Sequence, residues 1–468
     1  MRRLAGNELA LGLAVAAGFM LRALFVWRHP LFRGDALVYG ELAHHMLKEH
    51  VYGLVDAGVL KPTLIRLPGY PLFLGTCFAV FGDGKYLAVL WVQVVVDLAT
   101  CLLIAATSAR IGGRRAGIWA LWLAALCPFT ANYAAVVVPE CLSSFCVALA
   151  FYALARWVEG WRGATTARGW AVLVGLALIA AIMLRPDEGL LAAAVVAGMG
   201  WMLLRNAGRE WRARLEPIVV VSVIVALPLS AWAIRNWRVF HVIQPLSPKY
   251  ANDPGEEVPH GFMRWYRTWA VGFPATVNVY WKYDGDLVSM SDLPSRAFDS
   301  AEQRAETAKL IARYNDEQAS TPAVDAEFAR LAQERVKAHP FRYYVELPVG
   351  RLLDMWLRPR IEYMKIPLDW WRLRAHPWAS IRAYGMGFLN LILLALACVG
   401  LWRWRRGGVV VWSMAAFVAL RCALLLTIDN SEPRYTMECY PVVIMLAGMA
   451  FARLRRSDAV DQGFNANQ

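Results

Sequence analysis

Cysteine is scarce and poorly placed for covalent or metal chemistry. The 468 residues hold eight, Cys77, Cys101, Cys127, Cys141, Cys146, Cys398, Cys422 and Cys439, and each lies in or beside an apolar run, so neither a disulfide framework nor a zinc site is expected. Charge is scarce as well. Asp, Glu, Lys and Arg make up 18% of the chain against 58% hydrophobic residues, which excludes an ordinary soluble domain. No small-residue cleavage site follows the first apolar run, so Met1-Arg2-Arg3 and the stretch ending in LFVWRHP are expected to form a retained signal anchor. Internal repeats are missing, including the inverted repeats of secondary transporters, and so is the nucleophile–histidine arrangement of a hydrolase. The excess of 49 Lys+Arg over 36 Asp+Glu would suit nucleic acid. Its arginines instead fall in short clusters between apolar runs, as membrane orientation requires, and no nucleic-acid partner is expected.

What the chain does have is long apolar segments. Ten are long enough to cross a bilayer as helices, at 8–27, 86–109, 116–134, 139–157, 169–185, 188–204, 216–234, 383–402, 408–428 and 435–452. Arginines follow every second one: Arg110, Arg114 and Arg115; Arg156, Arg162 and Arg168; Arg205, Arg209, Arg212 and Arg214; Arg403, Arg405 and Arg406; Arg453, Arg455 and Arg456. That alternation places both termini in the cytoplasm of a cell-membrane protein. It holds only if PGYPLFLGTCFAVFG, 68–82, does not cross, so this segment is read as re-entrant or interfacial.

The expected organisation is a transmembrane module over 1–235, with an outer loop at 28–67. A mostly helical extracytoplasmic domain with an interfacial helix follows at 236–382, then C-terminal transmembrane helices at 383–455 and a cytoplasmic tail at 456–468. Within the outer domain, AFDSAEQRAETAKLIARYNDEQ and AVDAEFARLAQERVKAHP read as charged helices. FRYYVELPVGRLLDMWLRP mixes aromatics, arginines and leucines and is placed at the outer interface.

With this topology, nearly all the unusual ionisable residues face outward: Asp35, Arg66, Glu140, Arg185, Glu188 and Arg434, with Arg22 in the outer third of the first span. Charges at a membrane edge are costly and pair with one another or serve a pathway. Taken singly, each has a plain structural reading. Asp35 reads as a helix cap, Glu140 as a first-turn acid favoured by the helix dipole, and Arg185 and Arg434 as anchors that snorkel to the surface. Asp35 shares a helical face with Tyr39, Leu42 and Met46, which turns it towards protein or lipid. Glu41, His45 and Glu49 have metal-ligand spacing, but a solvated polar face is the better reading. Gln93 and Asp97 are expected to make interhelical hydrogen bonds.

The order of these stretches carries a resemblance. Gly34-Asp35 and Tyr39, RLPGYPLFLG at 66–75, VVPE at 137–140, LRP at 184–186 and EPRYTMECYPVVIMLAG at 432–448 resemble GT-C fold glycosyltransferases. More narrowly, they are similar to the bacterial protein O-mannosyltransferase and lipid A aminoarabinose transferase superfamily. The similarity covers 8–205 and 383–455, and departs from the family in placing the outer domain between the seventh and eighth spans. It implies an all-α GT-C fold with about ten transmembrane helices, outer-face juxtamembrane helices and a mostly helical extracytoplasmic insertion. It also implies inverting transfer of a hexosyl or pentosyl group from a polyprenyl-phosphate donor to a hydroxyl of a lipid, glycan or protein, on the extracytoplasmic face.

By that resemblance Asp35 would be the general base, and Arg66, Arg185 and Arg434 would bind the donor phosphate. Glu140, Tyr39, Tyr70, Tyr435 and Glu188 would line or orient the sugar and acceptor. No cofactor is assigned, and a divalent cation stays open. A transporter or flippase of amphiphilic substrates would show polar residues on both membrane faces, and a scaffold would keep the same charges as structural pairs.

Overall fold

The computed structural model describes residues 2–163, 167–205, 211–283 and 285–452. The tail expected at 456–468 and the arginines from Arg453 onward lie outside them. Among the described residues, seven helices are long and apolar enough to cross a membrane: Glu8–Arg28, Tyr86–Ala125, Glu140–Trp161, Ala167–Leu184, Pro186–Arg205, Leu215–Phe240 and Pro377–Arg403. Shorter apolar helices run over Gly69–Phe81 and Val409–Leu425. Helix is the natural form for such segments, because hydrocarbon offers the backbone no hydrogen bonds from outside. The thirteen residues of Gly69–Phe81 reach roughly 20 Å at 1.5 Å per residue, short of a hydrocarbon core about 30 Å thick.

The expected crossings at 86–109 and 116–134 take a different form. The span Tyr86–Ala125 is two helices that meet at Gly113, where φ is 82° and ψ 173°, a conformation that only glycine adopts freely. The chain doubles back there. A Cβ on Gly117 would lie 2.6 Å from that of Ala109, so the two arms meet where the side chain is missing. The return arm ends at Ala125, and Pro128 opens a separate six-residue helix, Pro128–Tyr133.

Residues 127–141 are buried throughout, and the irregular backbone after Tyr133 is satisfied from two sides. Gln93 Nε2 donates to the carbonyls of Ala134 (3.3 Å) and Val136 (2.8 Å). Leu31 pairs in parallel with Val136, its N–H on the Ala135 carbonyl at 3.0 Å and its own carbonyl accepting from Val137 at 3.1 Å. Such backbone survives in a membrane protein only where protein supplies its partners. The last expected crossing, 435–452, also differs: it starts as a 3₁₀ segment, Pro433–Cys439, and is α-helical over Tyr440–Met449.

The chain forms two compact units. The first comprises Met1–Pro248, Leu391–Val418 and Glu438–Gln468; the second comprises Lys249–Asn390 and Ala419–Met437. Inside the first, Arg22 is fully buried and ties the opening helix to both arms of the Gly113 hairpin. Its Nε meets Asp97 Oδ2 at 2.7 Å, and Nη1 donates to the carbonyls of Gly18 (2.9 Å) and Ala125 (2.8 Å). Arg22 is therefore a structural cation, paired and fully hydrogen-bonded as a buried charge must be.

Between the helices Asp35–Lys48 and Gly69–Phe81 lies a short antiparallel hairpin that an all-helical reading does not contain: β1, Gly53–Asp56, and β2, Val59–Pro62. Ala57 and Gly58 both have positive φ, 48° and 81°, the primed turn that fits the twist of two paired strands. An isolated two-stranded hairpin is marginal, and this one is held on both sides. The Val55 N–H donates to Glu41 Oε1 (2.8 Å), and His45 Nδ1 lies 3.0 Å from the Gly53 carbonyl. Arg235 donates to the carbonyls of Tyr52 (3.0 Å) and Thr63 (2.8 Å). Glu41 and His45, expected on a solvated face, thus fasten the hairpin.

The second unit is helical, as its charge pattern predicts. Ala301–Glu317 and Pro322–Ala338 begin at Ser300 and Thr321, whose hydroxyls accept from the N–H groups of Gln303 and Val324. Their apolar faces bury Leu310, Ile311, Tyr314, Phe328 and Leu331 against Phe262, Trp265 and Trp269. The helix His260–Arg267 is held to them by Asp325, whose carboxylate accepts from the N–H groups of Gly261 (2.9 Å) and Phe262 (2.8 Å).

Candidate active site

Asp35 is the first residue of the helix Asp35–Lys48, and the capping position belongs to Gly34, with φ 60°. The cap reading of Asp35 therefore gives way: its carboxylate is partly exposed and meets Arg66 Nη2 at 3.3 Å. The β-hairpin brings Arg66 there. The guanidinium follows four residues after the Pro62 end of β2, and its backbone carbonyl accepts from the Tyr52 hydroxyl at 3.1 Å. Both side chains keep about a quarter of their surface in water, 28% for Asp35 and 25% for Arg66.

Tyr39 lies one helical turn along from Asp35, buried. The Arg66 guanidinium stands 5.8 Å from its ring centre, and Tyr70 meets it edge-on at 5.1 Å. The Tyr70 hydroxyl donates to Gln93 Oε1 at 2.7 Å, the same glutamine whose amide supports the backbone of 134–136. One polar side chain within a span thus positions both the tyrosine and the segment leading into Glu140.

Glu140 opens the helix Glu140–Gly163 and is 1% exposed. Arg185 Nη1 donates to its Oε1 at 2.7 Å. The same guanidinium takes both oxygens of Asp187, Nε–Oδ1 at 3.2 Å and Nη2–Oδ2 at 3.1 Å, and lies 3.1 Å from Glu438 Oε1. Burial acts to lower the pKa of Arg185, but Asp187, Glu438 and Glu140 together raise it well above the ordinary value. Glu188 is fully buried and accepts from Ser143 Oγ at 3.3 Å. It meets the first turn of the helix that Glu140 begins.

Tyr39 joins the two charge clusters. Burial pushes its hydroxyl pKa up; Arg66 and Arg185 pull it down, while Asp35 and Glu140 add to the rise. Asp35 and Glu140 thus stand with two arginines near Tyr39, and Asp187 and Glu438 join the cluster through Arg185. Asp35 and Arg66 are the most exposed of these charges, at 28% and 25%, against 18% for Asp187 and 12% for Arg185. The arrangement offers one accessible carboxylate to accept a proton, one accessible guanidinium to meet an anion, and a rigid set of buried charges behind them.

Seven of the nine residues expected from the sequence lie in the first unit: Asp35, Tyr39, Arg66, Tyr70, Glu140, Arg185 and Glu188. Arg434 and Tyr435 belong to the second, where Arg434 is ion-paired with Glu432 and its guanidinium lies 5.8 Å from the Tyr435 ring. Among the described residues no three His, Cys, Asp or Glu side chains converge in a metal-holding group; His45 and Glu41 are committed to the hairpin. Sequence reasoning passed over Glu438 and Asp187 as partners of Arg185. Glu438 did carry a signal, since a carboxylate inside an otherwise apolar segment is costly unless paired.

Residues 61–234 match the family described as dolichyl-phosphate-mannose-protein mannosyltransferase. A sequence comparison with curated proteins found no match. Among solved structures, the chain is similar to the oligosaccharyltransferase of Archaeoglobus fulgidus tethered with an acceptor peptide, at 13% identity and TM-score 0.54, over 95% of this chain and 49% of that one. The same organism's AglB, in complex with an inhibitory peptide and a dolichol-phosphate, matches at 12% identity and TM-score 0.51, over 100% of this chain and 53% of that one. This chain spans about half the length of both. ArnT from Cupriavidus metallidurans, at 15% identity and TM-score 0.39 over 97% and 78% of the two chains, is too distant to add to this. The chain is a mostly helical, polytopic membrane protein of the GT-C fold.

Proposed function

We propose that the protein is a glycosyltransferase that moves a sugar from a polyprenyl-phosphate donor to an acceptor hydroxyl at the extracytoplasmic face of the cell membrane. The observation that carries the reading is the partly exposed Asp35–Arg66 pair, set beside the buried Glu140–Arg185 cluster. It is supported by the mannosyltransferase match over 61–234 and by the dolichol-phosphate bound to AglB.

In this reading the acceptor oxygen attacks the anomeric carbon from the face opposite the phosphate, and the configuration inverts. The acceptor proton passes to Asp35 as the new C–O bond forms. The bond between the anomeric carbon and the phosphate oxygen breaks, and polyprenyl phosphate leaves with the electron pair. Arg66 meets that growing charge, for which a planar guanidinium is well suited. Arg185, held by three carboxylates, orients Glu140 towards the sugar, and Tyr39 and Tyr70 form the aromatic wall beside it. For Arg434 and Tyr435 the roles rest on the sequence resemblance alone.

The test is mass spectrometry of lipids, glycans and secreted proteins from cells with and without the protein, and with its Asp35→Asn form. One sugar increment is expected to disappear in the knockout and to stay missing with Asp35→Asn. An unchanged profile in every fraction would overturn the proposal.

A further inference from the structure

The helix Glu140–Gly163 is the most buried of the long apolar helices among the described residues. From Cys141 to Trp157 every residue is buried except Leu142, Phe145, Leu149, Tyr152 and Arg156. Their alternating spacing of three and four puts all five on one face, so a single narrow stripe stays open for about 20 Å along the helix. The helix packs against both Tyr86–Ala125 and Ala167–Leu184. Three apolar side chains occupy the half of the stripe nearer Glu140, and the polar ones the far half.

At that far end, within the first unit, five side chains from three helices close a ring of contacts. Arg110 Nη2 donates to the Tyr152 hydroxyl at 3.3 Å, with the guanidinium 4.7 Å from the ring centre. Tyr152 meets Trp170 edge-on at 5.9 Å, and the Arg156 guanidinium lies 4.6 Å from the Trp170 ring centre. Glu159 completes the ring: its two oxygens lie 3.7 Å from the Nε of Arg110 and 3.7 Å from the Nε of Arg156. Both contacts are long for a charged pair, and neither Nε has a hydrogen-bond partner among the described residues. Two guanidiniums thus share one carboxylate, which leaves one positive charge over. Arg168, close by in sequence to Trp170, does not change the sum, because it pairs with Glu216. The Arg156 side chain keeps 34% of its surface exposed, so the surplus can be reached from outside the fold.

We propose that Arg110 and Arg156, flanked by Tyr152 and Trp170, seat the phosphodiester head group of an anionic membrane phospholipid, with one acyl chain along Leu142, Phe145 and Leu149. A phosphodiester with an uncharged alcohol carries a single negative charge, which matches the surplus, and guanidinium forks bind its oxygens in pairs. Tyrosine and tryptophan suit the boundary between head groups and hydrocarbon. The apolar stripe selects a lipid over a soluble anion, since it continues from the charged ring into the depth of a spanning helix. Arg156 stands about 24 Å along the helix from Glu140, so this lipid belongs to the leaflet opposite the Asp35–Arg66 pair. The site does not depend on the transferase reading.

Native mass spectrometry of the full chain in detergent micelles, with dioleoyl phosphatidylglycerol or dioleoyl phosphatidylcholine added, tests the site. The anionic lipid is expected to bind saturably and at least about fivefold more tightly than the zwitterionic one, the effect of one arginine at an anionic surface. Arg156→Gln is expected to remove this preference, and Asp35→Asn to leave it unchanged. Glu159→Gln is expected to tighten phosphatidylglycerol binding severalfold, because the carboxylate competes for the same guanidiniums; this variant keeps the test valid if Arg156→Gln does not fold. Glycerophosphoglycerol, the same head group without chains, is expected to bind at least tenfold more weakly than the lipid. Equal binding of the chainless head group, equal affinity for the two lipids, or a preference that survives Arg156→Gln would overturn the proposal.

Discussion

Asp35 and Glu140 are both carboxylates facing an arginine, and water separates their roles. Glu140 is 1% exposed and its arginine serves three acids, whereas Asp35 keeps 28% of its side chain in solvent and shares Arg66 with no other carboxylate in an observed ion pair. Only the second kind can take a proton from an incoming hydroxyl without first breaking a buried network. Asp35→Asn is therefore expected to lower transfer by about 10²–10⁴-fold, the range for loss of a general base, while the protein inserts normally. The check is transfer rate in isolated membranes against the amount of protein present. Arg66→Lys keeps the charge but loses the fork, so it is expected to impair use of the donor more than that of the acceptor; titrating each substrate separately measures this.

A second residue-scale prediction concerns acid stability. Burial acts to raise the Asp299 carboxyl pKa, but its hydrogen bonds from Arg342 and the charge of nearby Arg335 hold it below the usual value. A depressed carboxyl contributes stability that is fully present above its unfolded pKa and is lost as pH falls through the lower folded one. Acid unfolding followed by circular dichroism is expected to show that loss in the native chain, with a shallower pH dependence in Asp299→Asn.

At the scale of elements, the β-hairpin is what converts a loop into part of a site. Four side-chain contacts from three helical positions hold it: Glu41, His45 and the double donation of Arg235. Removing Arg235 as Gln deletes two charge-assisted bonds, each worth about 1.5–3 kcal/mol. Amide hydrogen exchange across 52–63 is then expected to quicken while the span cores stay protected. The Gly113 turn is the other decisive element. Gly113→Ala places a Cβ at φ 82°, ψ 173° and is expected to cost about 1–3 kcal/mol, read as a lowered melting temperature in micelles.

These elements also mark where sequence patterns stop being informative. Hydropathy located the long helices because lipid imposes the same demand on every residue of a span. It could not reveal the hairpin of β1 and β2, whose four-residue strands are too short to show an alternating pattern. Nor could it show that the buried segment 127–139 leaves helix after Tyr133: its composition is that of a span, and only the partners supplied by Gln93 and Leu31 let it depart from helix. Glu41 and His45 read as a polar face because the strand that covers them is too short to leave a periodic signal.

For the whole molecule, the alternation of arginine clusters gives an orientation that labelling can check. Single cysteines introduced in a background without the native eight, at Val59 where β2 begins and at Arg405, are expected to react from opposite sides of the membrane with an impermeant maleimide, Val59 from outside. Reaction of both from one side would contradict the proposed topology.

The sequence by itself determined the class of molecule and most of its polar inventory. A chain this apolar has to bury its backbone in helices, and the few charges it retains in or beside them have to be paired or put to use, so Asp35, Arg66, Glu140 and Arg185 stand out without coordinates. What only the tertiary structure decided is which charge meets which. Asp35 finds Arg66 because a hairpin pinned by Arg235 carries it there, and Glu140 shares Arg185 with Asp187 and with Glu438, more than 250 residues further along the chain. Pairing depends on distances across the fold, to which composition and periodicity are blind, and it is pairing that separates the accessible acid from the buried ones.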